Sequence, residues 1–347
     1  MPDTSAHDRP GHQPGAFIHT SRTPLRVSLF GGGTDYPEWF EREPGAVLGF
    51  TIDKYIYISA LRLSSFVDYR YRVTYSRLET VDEIAQIQHP VVRVVLEHEG
   101  FVEPMDYSIQ ADLPASAGLG SSSAFTTGFL NLVSAMKGVP RTKLELARLA
   151  IDTEHNLLRE RVGIQDQLHA AFGGINRFDF HGEELSIKPI SVSAGDLDAL
   201  TEWMTLVYTG IQRSASQTLD EQLDNISARS VDDELRAMVG LVDRADEVLQ
   251  HNTGDELAHG LAELLAETWQ MKKRLSGKVS NPEIDALYEA CVSQGALAGK
   301  LCGAGGGGFL LMIVPPERRA ALAQAVGPDR CVDFRIEHQG SLVRQTW

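Results

Sequence analysis

Cysteine is scarce in this chain: Cys291, Cys302 and Cys331 are the only three in 347 residues. Three scattered thiols cannot build a disulfide framework or a zinc site, and reduced cysteines are expected. No stretch approaches the ~20 apolar residues that a membrane span requires. Positive charge is also short. Lys and Arg number 32 against 47 Asp and Glu, a formal net charge of −15. Such a surface does not release counterions from a polynucleotide, so nucleic-acid binding is excluded. A single nucleotide is not excluded, because a few backbone amides and a metal can hold it. The eleven histidines show no H-E-x-x-H spacing. No glycine run carries the Lys-Ser or Lys-Thr of a Walker A loop. Met1–Gly15 lacks the apolar core of a signal peptide. Residues 1–16 read as a disordered tail, and the protein as cytoplasmic.

What the chain does have is clustered glycine. Three runs stand far apart: Phe30-Gly31-Gly32-Gly33-Thr34-Asp35, Pro114 to Ala124 (Pro-Ala-Ser-Ala-Gly-Leu-Gly-Ser-Ser-Ser-Ala), and Gly303-Ala304-Gly305-Gly306-Gly307-Gly308. Glycine weakens regular structure, so such clusters belong where the backbone turns sharply or approaches a ligand. Each alone reads as a tight turn; their triple occurrence favours a site. The middle run feeds a segment with helical spacing, Phe125, Phe129, Leu132, Val133 and Met136. A glycine–serine loop entering a helix presents free N–H groups and the positive end of the helix dipole, which is an anion site. Gly303, Gly305 and Gly308 match the dinucleotide-binding pattern, but that pattern needs a strand before it and a helix after it. Here the order is inverted, so nicotinamide binding is rejected.

Strands are expected at Arg26–Phe30, within Ala46–Leu61 as one or two, and at Tyr69–Tyr75, Tyr107–Ala111, Glu202–Tyr208, Phe309–Val314 and Cys331–Glu337. Helices are expected at Pro90–Glu97, after the Thr142–Glu145 capping box, and at Gln165–Phe172. A largely helical stretch, Asp220–Gly295, is broken near Asn252–Gly254 and at Asn281–Pro282, and Pro315–Pro316 opens a last helix. The class is α+β in two parts, divided near residue 195 into 17–195 and 196–347.

Two carboxylates stand out. Glu154 interrupts an apolar stripe formed by Leu144, Ala147, Ile151 and Leu158, where a carboxylate is costly unless paired. Either it meets a cation such as Arg159 or Arg161, or it is a magnesium ligand. Asp166 lies in the first turn of its helix. The helix dipole alone favours an acidic residue there, and a catalytic role is the other reading.

With these residues in view, the chain resembles the GHMP sugar and small-molecule kinases from about Thr20 to Ile336. Pro114–Ala124 resembles the family's phosphate loop, Lys300–Phe309 its third glycine-rich motif, and Thr23–Val27 with Gly31–Tyr36 its first. The resemblance implies a two-domain GHMP kinase fold: an N-terminal mixed sheet with helices, and a C-terminal ferredoxin-like α/β sandwich with extra helices. It implies ATP and Mg²⁺ as cofactors. Pro114, Ala117, Gly118, Leu119, Gly120, Ser121, Ser122 and Ser123 would bind nucleotide, and Ser122 with Glu154 would hold the metal. Asp166 and Arg26 would be catalytic. Gly32, Gly33, Thr34, Asp35, Gly174, Arg213, Gly303, Gly305 and Gly306 would bind the acceptor.

Galactokinases carry Glu-His where this chain has Gly32-Gly33, which puts galactose in doubt and widens the sugar site. Gly-Gly-Gly-Thr-Asp and Tyr208–Ser216 resemble the D-glycero-D-manno-heptose 7-phosphate kinases. The resemblance implies phosphorylation of the anomeric hydroxyl of that sugar phosphate, with Arg213 and Arg177 as candidates for its distal phosphate. The partners expected are ATP and a small-molecule sugar phosphate, with no membrane, in a monomer or homodimer. The alternatives are a kinase for an unphosphorylated hexose or uronic acid, and a non-catalytic sugar or nucleotide sensor.

Overall fold

The computed structural model describes residues 18–211 and 216–346. In chain order the elements are β1 (Ile18–Phe30), α1 (Pro37–Phe40), β2 (Gly45–Arg62), β3 (Tyr71–Thr74), β4 (Leu78–Val81), α2 (Pro90–Glu99), β5 (Met105–Ala111), α3 (Ser121–Met136), α4 (Lys143–Asp152) and α5 (Gln165–Phe172). They continue with β6 (Ile175–His181), β7 (Glu184–Pro189), α6 (Ala194–Trp203), β8 (Met204–Tyr208), α7 (Ser216–Ser227), α8 (Asp232–His251), α9 (Gly254–Leu275) and α10 (Pro282–Ser293). The last are β9 (Ala298–Leu301), β10 (Phe309–Ile313), α11 (Arg319–Val326), β11 (Cys331–Val332) and β12 (Leu342–Thr346). Among the described residues, no helix is long and apolar enough to cross a membrane.

Two sheets result, and the α+β class holds. The first runs β12-β1-β2-β5-β3-β4, with β6 and β7 added beside β2. Among the described residues only β3 and β5 pair in parallel, so the sheet is mixed. Ala46–Leu61 is one long strand rather than two. β2 pairs along β1, while its first half meets β6 and its second half meets β5. The second sheet, β11-β8-β10-β9, is antiparallel throughout. Helix α9 packs against both β1 and β9 and so touches both sheets. Its buried stripe, Leu261, Leu265, Trp269, Lys272 and Leu275, contains one cation.

Three local expectations change. Glu202 and Trp203 end α6 rather than starting β8. The helical stretch has a further break between α7 and α8. The Cys331–Glu337 strand shrinks to Cys331–Val332, because the chain then crosses to the first sheet. There Ile336 bridges Ile52 and Glu337 N donates to the Thr51 carbonyl at 2.9 Å. The crossing ends with β12 pairing β1 from Ile18↔Thr346 to Arg22↔Leu342. A junction near residue 195 remains a proposal for the bodies of the two units. The expected second unit, 196–347, does not keep its final strand.

Candidate active site

The three glycine runs meet at one cavity of about 700 Å³ between the two sheets. Its floor is an interlock of backbone. A Cβ on Gly118 would overlap the Cys302 carbonyl, and a Cβ on Gly308 would overlap that of Ala117. Both glycines have positive φ, +77° and +94°, so the requirement is conformational as well as steric. The third run thus props the second. Only Gly303 and Ala304 of that run reach the cavity. Gly305 and Gly306 turn away, and Gly306 N donates to the Val279 carbonyl at 2.9 Å.

Gly120, at φ +72°, delivers the chain into α3 without any side-chain cap. The first N–H groups of a helix have no carbonyl one turn earlier. Here they open on the cavity, which Gly118, Gly120, Ser121, Ser122 and Ser123 line. The helix behind them is buried from Ser123 to Leu130. Its positive end is thus fixed toward that space.

Arg26, on β1, crosses under the loop. Its Nε and Nη2 donate to the two carboxylate oxygens of Asp166, each at 2.7 Å, and its Nη1 donates to the Gly118 carbonyl at 2.6 Å. Burial alone would lower the guanidinium, but the charge and hydrogen bonds of Asp166 more than offset it and hold it above its ordinary range. A Cβ on Gly120 would lie 3.2 Å from Asp166 Oδ2 and 3.1 Å from Arg26 Cγ. The loop therefore sits directly on the Arg26–Asp166 pair. Asp35, 1% exposed, comes from the first glycine run to the same place. Its carbonyl accepts from Ile164 N at 3.0 Å, and its Oδ1 accepts from Gly33 N at 3.0 Å. Gly163 has no side chain because Asp35 Oδ2 fills that space. Burial and the neighbouring charge of Asp166 raise the Asp35 carboxyl.

Among the described residues Glu154 has no salt-bridge partner. Helix α4 starts with the expected capping box, Thr142 Oγ1 accepting from Glu145 N. It then widens into a π-helical turn at Thr153–Leu157, which drops Glu154 behind the loop. The residue is 1% exposed. One oxygen accepts from Ser123 Oγ at 2.9 Å and from Gln167 Nε2, while Oε1 has no hydrogen-bond partner among the described residues; the Thr126 hydroxyl lies nearby but donates to the Ser122 carbonyl. Burial pushes the carboxyl up to about 7. An orphaned anionic oxygen that lines a cavity is a place for a cation. The hydroxyl that touches it is that of Ser123. Ser122 is exposed on the same cavity wall. Among the described residues no group of three or more His, Cys, Asp or Glu forms a protein-only metal cage. One carboxylate with hydroxyls suits Mg²⁺, which keeps waters and phosphate oxygens in its shell.

The cavity also holds residues to which the sequence reading gave no role. Ile56, Tyr75, His89, Ile109 and Phe125 form an aromatic and apolar wall, with the rings of His89 and Phe125 4.7 Å apart. Lys272 and Lys300 line it as well. Lys272 Nζ donates to the carbonyls of Leu301 (2.7 Å) and Gly303, and burial lowers it to about 8. Lys300 Nζ donates to the Leu29 carbonyl at 2.8 Å; burial and the charge of Lys272 hold it well below its ordinary range. The available signal for Lys272 was a cation inside the buried stripe of a helix, the same kind of anomaly that marked Glu154.

Several expected residues are elsewhere. Thr34 is bonded within its own turn, to the Gly31 carbonyl at 2.8 Å. Ala117 and Leu119 are core residues, and Pro114 is exposed off the cavity. Gly174 N is held by Thr51 Oγ1 at 2.9 Å and by the Glu337 carbonyl, so it serves the β12 crossing instead of a ligand. Arg177 is paired with Asp179, Asp243 and Asp246 at a separate cavity of about 230 Å³. Arg213 lies outside the described residues.

Two family models match this chain: the GHMP kinases N terminal domain at residues 85–174 and the GHMP kinases C terminal at 247–333. A D-glycero-alpha-D-manno-heptose 7-phosphate kinase of Campylobacter jejuni is 27% identical over 304 residues, 82% of this chain and 86% of that protein. A galactokinase of Thermotoga maritima is 26% identical over 245 residues, 67% and 68% of the two chains. The crystal structure of a D-glycero-D-manno-heptose 1-phosphate kinase from Bacteriodes thetaiotaomicron superposes with a TM-score of 0.71 at 23% identity, covering 95% and 99% of the two chains.

Proposed function

Because this chain belongs to the GHMP kinases, we propose that it transfers the γ-phosphoryl group of ATP to the anomeric hydroxyl of a heptose 7-phosphate. The observation that carries this reading is the contact between the anion-binding loop and the Arg26–Asp166 pair at Gly120. It puts a carboxylate beside the expected position of a terminal phosphate, which is what in-line transfer to a hydroxyl requires. The naming of the Campylobacter relative supports the choice of sugar.

In this reading the aromatic wall of Tyr75, His89 and Phe125 takes the flat base. The N–H groups of Gly118 to Ser123 hold the phosphates. Glu154 and the serine hydroxyls would hold Mg²⁺, which supplies charge neutralisation on the phosphate oxygens. Asp166 accepts a hydrogen bond from the acceptor hydroxyl and fixes its direction. As the oxygen bonds to the γ-phosphorus and the bond to the ADP oxygen breaks, the proton passes to Asp166 and then to solvent. Arg26, bonded to both oxygens of Asp166 and to the Gly118 carbonyl, holds that carboxylate in place. The test is coupled ADP release over a panel of phosphorylated and plain heptoses, hexoses and uronic acids. Turnover restricted to heptose 7-phosphate supports the reading. Equal turnover without the distal phosphate favours the plain-sugar kinase, and binding without ADP release favours a sensor.

A further inference from the structure

Two of the three consecutive glycines at Gly31–Gly33 are demanded by backbone. Gly31 (φ +80°) would overlap the Ala46 carbonyl with any side chain, and Gly33 (φ +110°) faces Leu235 and Leu275 at 3.2 and 3.4 Å. Gly32 is different. Its φ is outside the left-handed region, and a Cβ there would make only ordinary contacts, 3.4 Å to Ser28 Oγ and 3.7 Å to Gln165 Nε2. Among the described residues nothing else comes within 4 Å of that position, and Gly32 lines the cavity. The widening of the site thus comes from Gly32 and not from Gly33.

The residues around the gap carry polar atoms with hydrogen-bonding capacity to spare. Ser28 is 5% and Gln165 7% exposed, both line the cavity, and among the described residues neither Ser28 Oγ nor Gln165 Oε1 has a hydrogen-bond partner, while the Gln165 side chain also bonds the Asp35 carboxyl. Buried polar atoms are ordinarily satisfied, and two such atoms on residues that line one cavity await a ligand group. We propose that Gly32, Ser28 and Gln165 form a slot for a neutral hydroxyl of the acceptor, vicinal to the hydroxyl that receives the phosphoryl group; this rests on the sugar-kinase reading above. For an anomeric acceptor it is the 2-hydroxyl. Ser28 can donate or accept, and the Gln165 amide offers one acceptor and one donor whichever way it is turned. A hydroxyl satisfies both. Gln165 and Asp166 line the same cavity from the first turn of α5, the end at which the acceptor hydroxyl is read. An anion in the slot would face the carboxylates of Asp35 and Asp166. An ammonium would share the cavity with Arg26, Lys272 and Lys300, all buried cations.

The experiment compares heptose 7-phosphate with its 2-deoxy analogue in coupled ADP release. Wild type is expected to lose about 30-fold or more in kcat/KM on the deoxy sugar, in line with sites built to bond a hydroxyl. The Ser28→Ala/Gln165→Met double variant is expected to lose a similar factor on the full sugar and to treat the two sugars within about threefold. Gly32→Ala folds, as judged by an unshifted melting temperature and a retained thermal shift with ATP, and raises the KM for the full sugar about tenfold or more. Equal use of the two sugars by wild type, undiminished discrimination in the double variant, or an unchanged sugar KM in Gly32→Ala overturns the slot and leaves the kinase standing. If wild type releases ADP with no sugar, the kinase reading fails and the slot falls with it.

Discussion

Replacing Glu154 by glutamine should make the protein more stable and less active, and the gain should depend on pH. In the folded protein the carboxyl is raised from 4.5 to about 7, chiefly by burial. Folding therefore favours the protonated form. Between 4.5 and 7 the folded state binds the proton that the unfolded chain has released, so stability falls as pH rises through that window. At about 1.4 kcal/mol per pKa unit, the cost of an ionised Glu154 above pH 7 is ~3 kcal/mol. The neutral amide of the Glu154→Gln variant keeps an acceptor for Ser123 and Gln167 without that cost. For a chain of this size the gain is about 4 °C in melting temperature. The assay is a series of melting curves from about pH 4.5 to about pH 8.5 for both proteins. The two should coincide at the acid end and separate to the full difference by about pH 7.5. Millimolar Mg²⁺ at about pH 8 should raise the wild type and leave the variant unmoved. Parallel curves across the range, or equal responses to Mg²⁺, refute the reasoning: Glu154 would then be neither a costly buried anion nor a cation ligand.

Asp166→Asn is expected to lower kcat by roughly two orders of magnitude or more while the thermal shift produced by ATP persists; near-normal turnover removes the assigned role. Gly120→Ala places a side chain at φ +72° and within 3.1 Å of Arg26 Cγ, so a strain of about 1–2 kcal/mol and a clear fall in ATP affinity should appear together in denaturation and titration. Lys272→Met leaves the carbonyls of Leu301 and Gly303 without their donor, about 1–3 kcal/mol for each buried acceptor, readable as a lower urea midpoint.

Much of the site was legible because its anomalies are local. The Thr142 capping box and the Gln165–Phe172 helix are short-range devices, and both occur as read. Pro114–Ala124 runs into a helix that the spacing of Phe125 and Phe129 announces. Glu154 betrayed itself by interrupting an apolar face. What escaped depends on partners distant in sequence. Ser28 sits in a strand whose neighbours are apolar, and only α5 packed beside it makes its hydroxyl unusual. Gly32 and Gly33 look alike in sequence; their difference appears when Leu235 and Leu275 fill the space beside one and not the other. The same holds for Gly174, whose role is set by the Glu337 carbonyl. Strands β6 and β7 were not assigned, and β12 was missed because its pairing with β1 spans nearly the whole chain.

That last pairing has a consequence for biosynthesis. Asp166 rides on α5, and the far end of α5 is clasped by the late segment: Ser341 N donates to the Ala170 carbonyl at 2.8 Å, and Gly340 lies against Ala171. Ser341 is also bound by Asn131 of α3, the helix that begins at the phosphate loop. A nascent polypeptide emerging from the ribosome thus holds all its reactive groups long before the clasp exists. Assembly of a working centre is deferred until translation has passed the clasp, and until then the outer edge of β1 has no strand beside it.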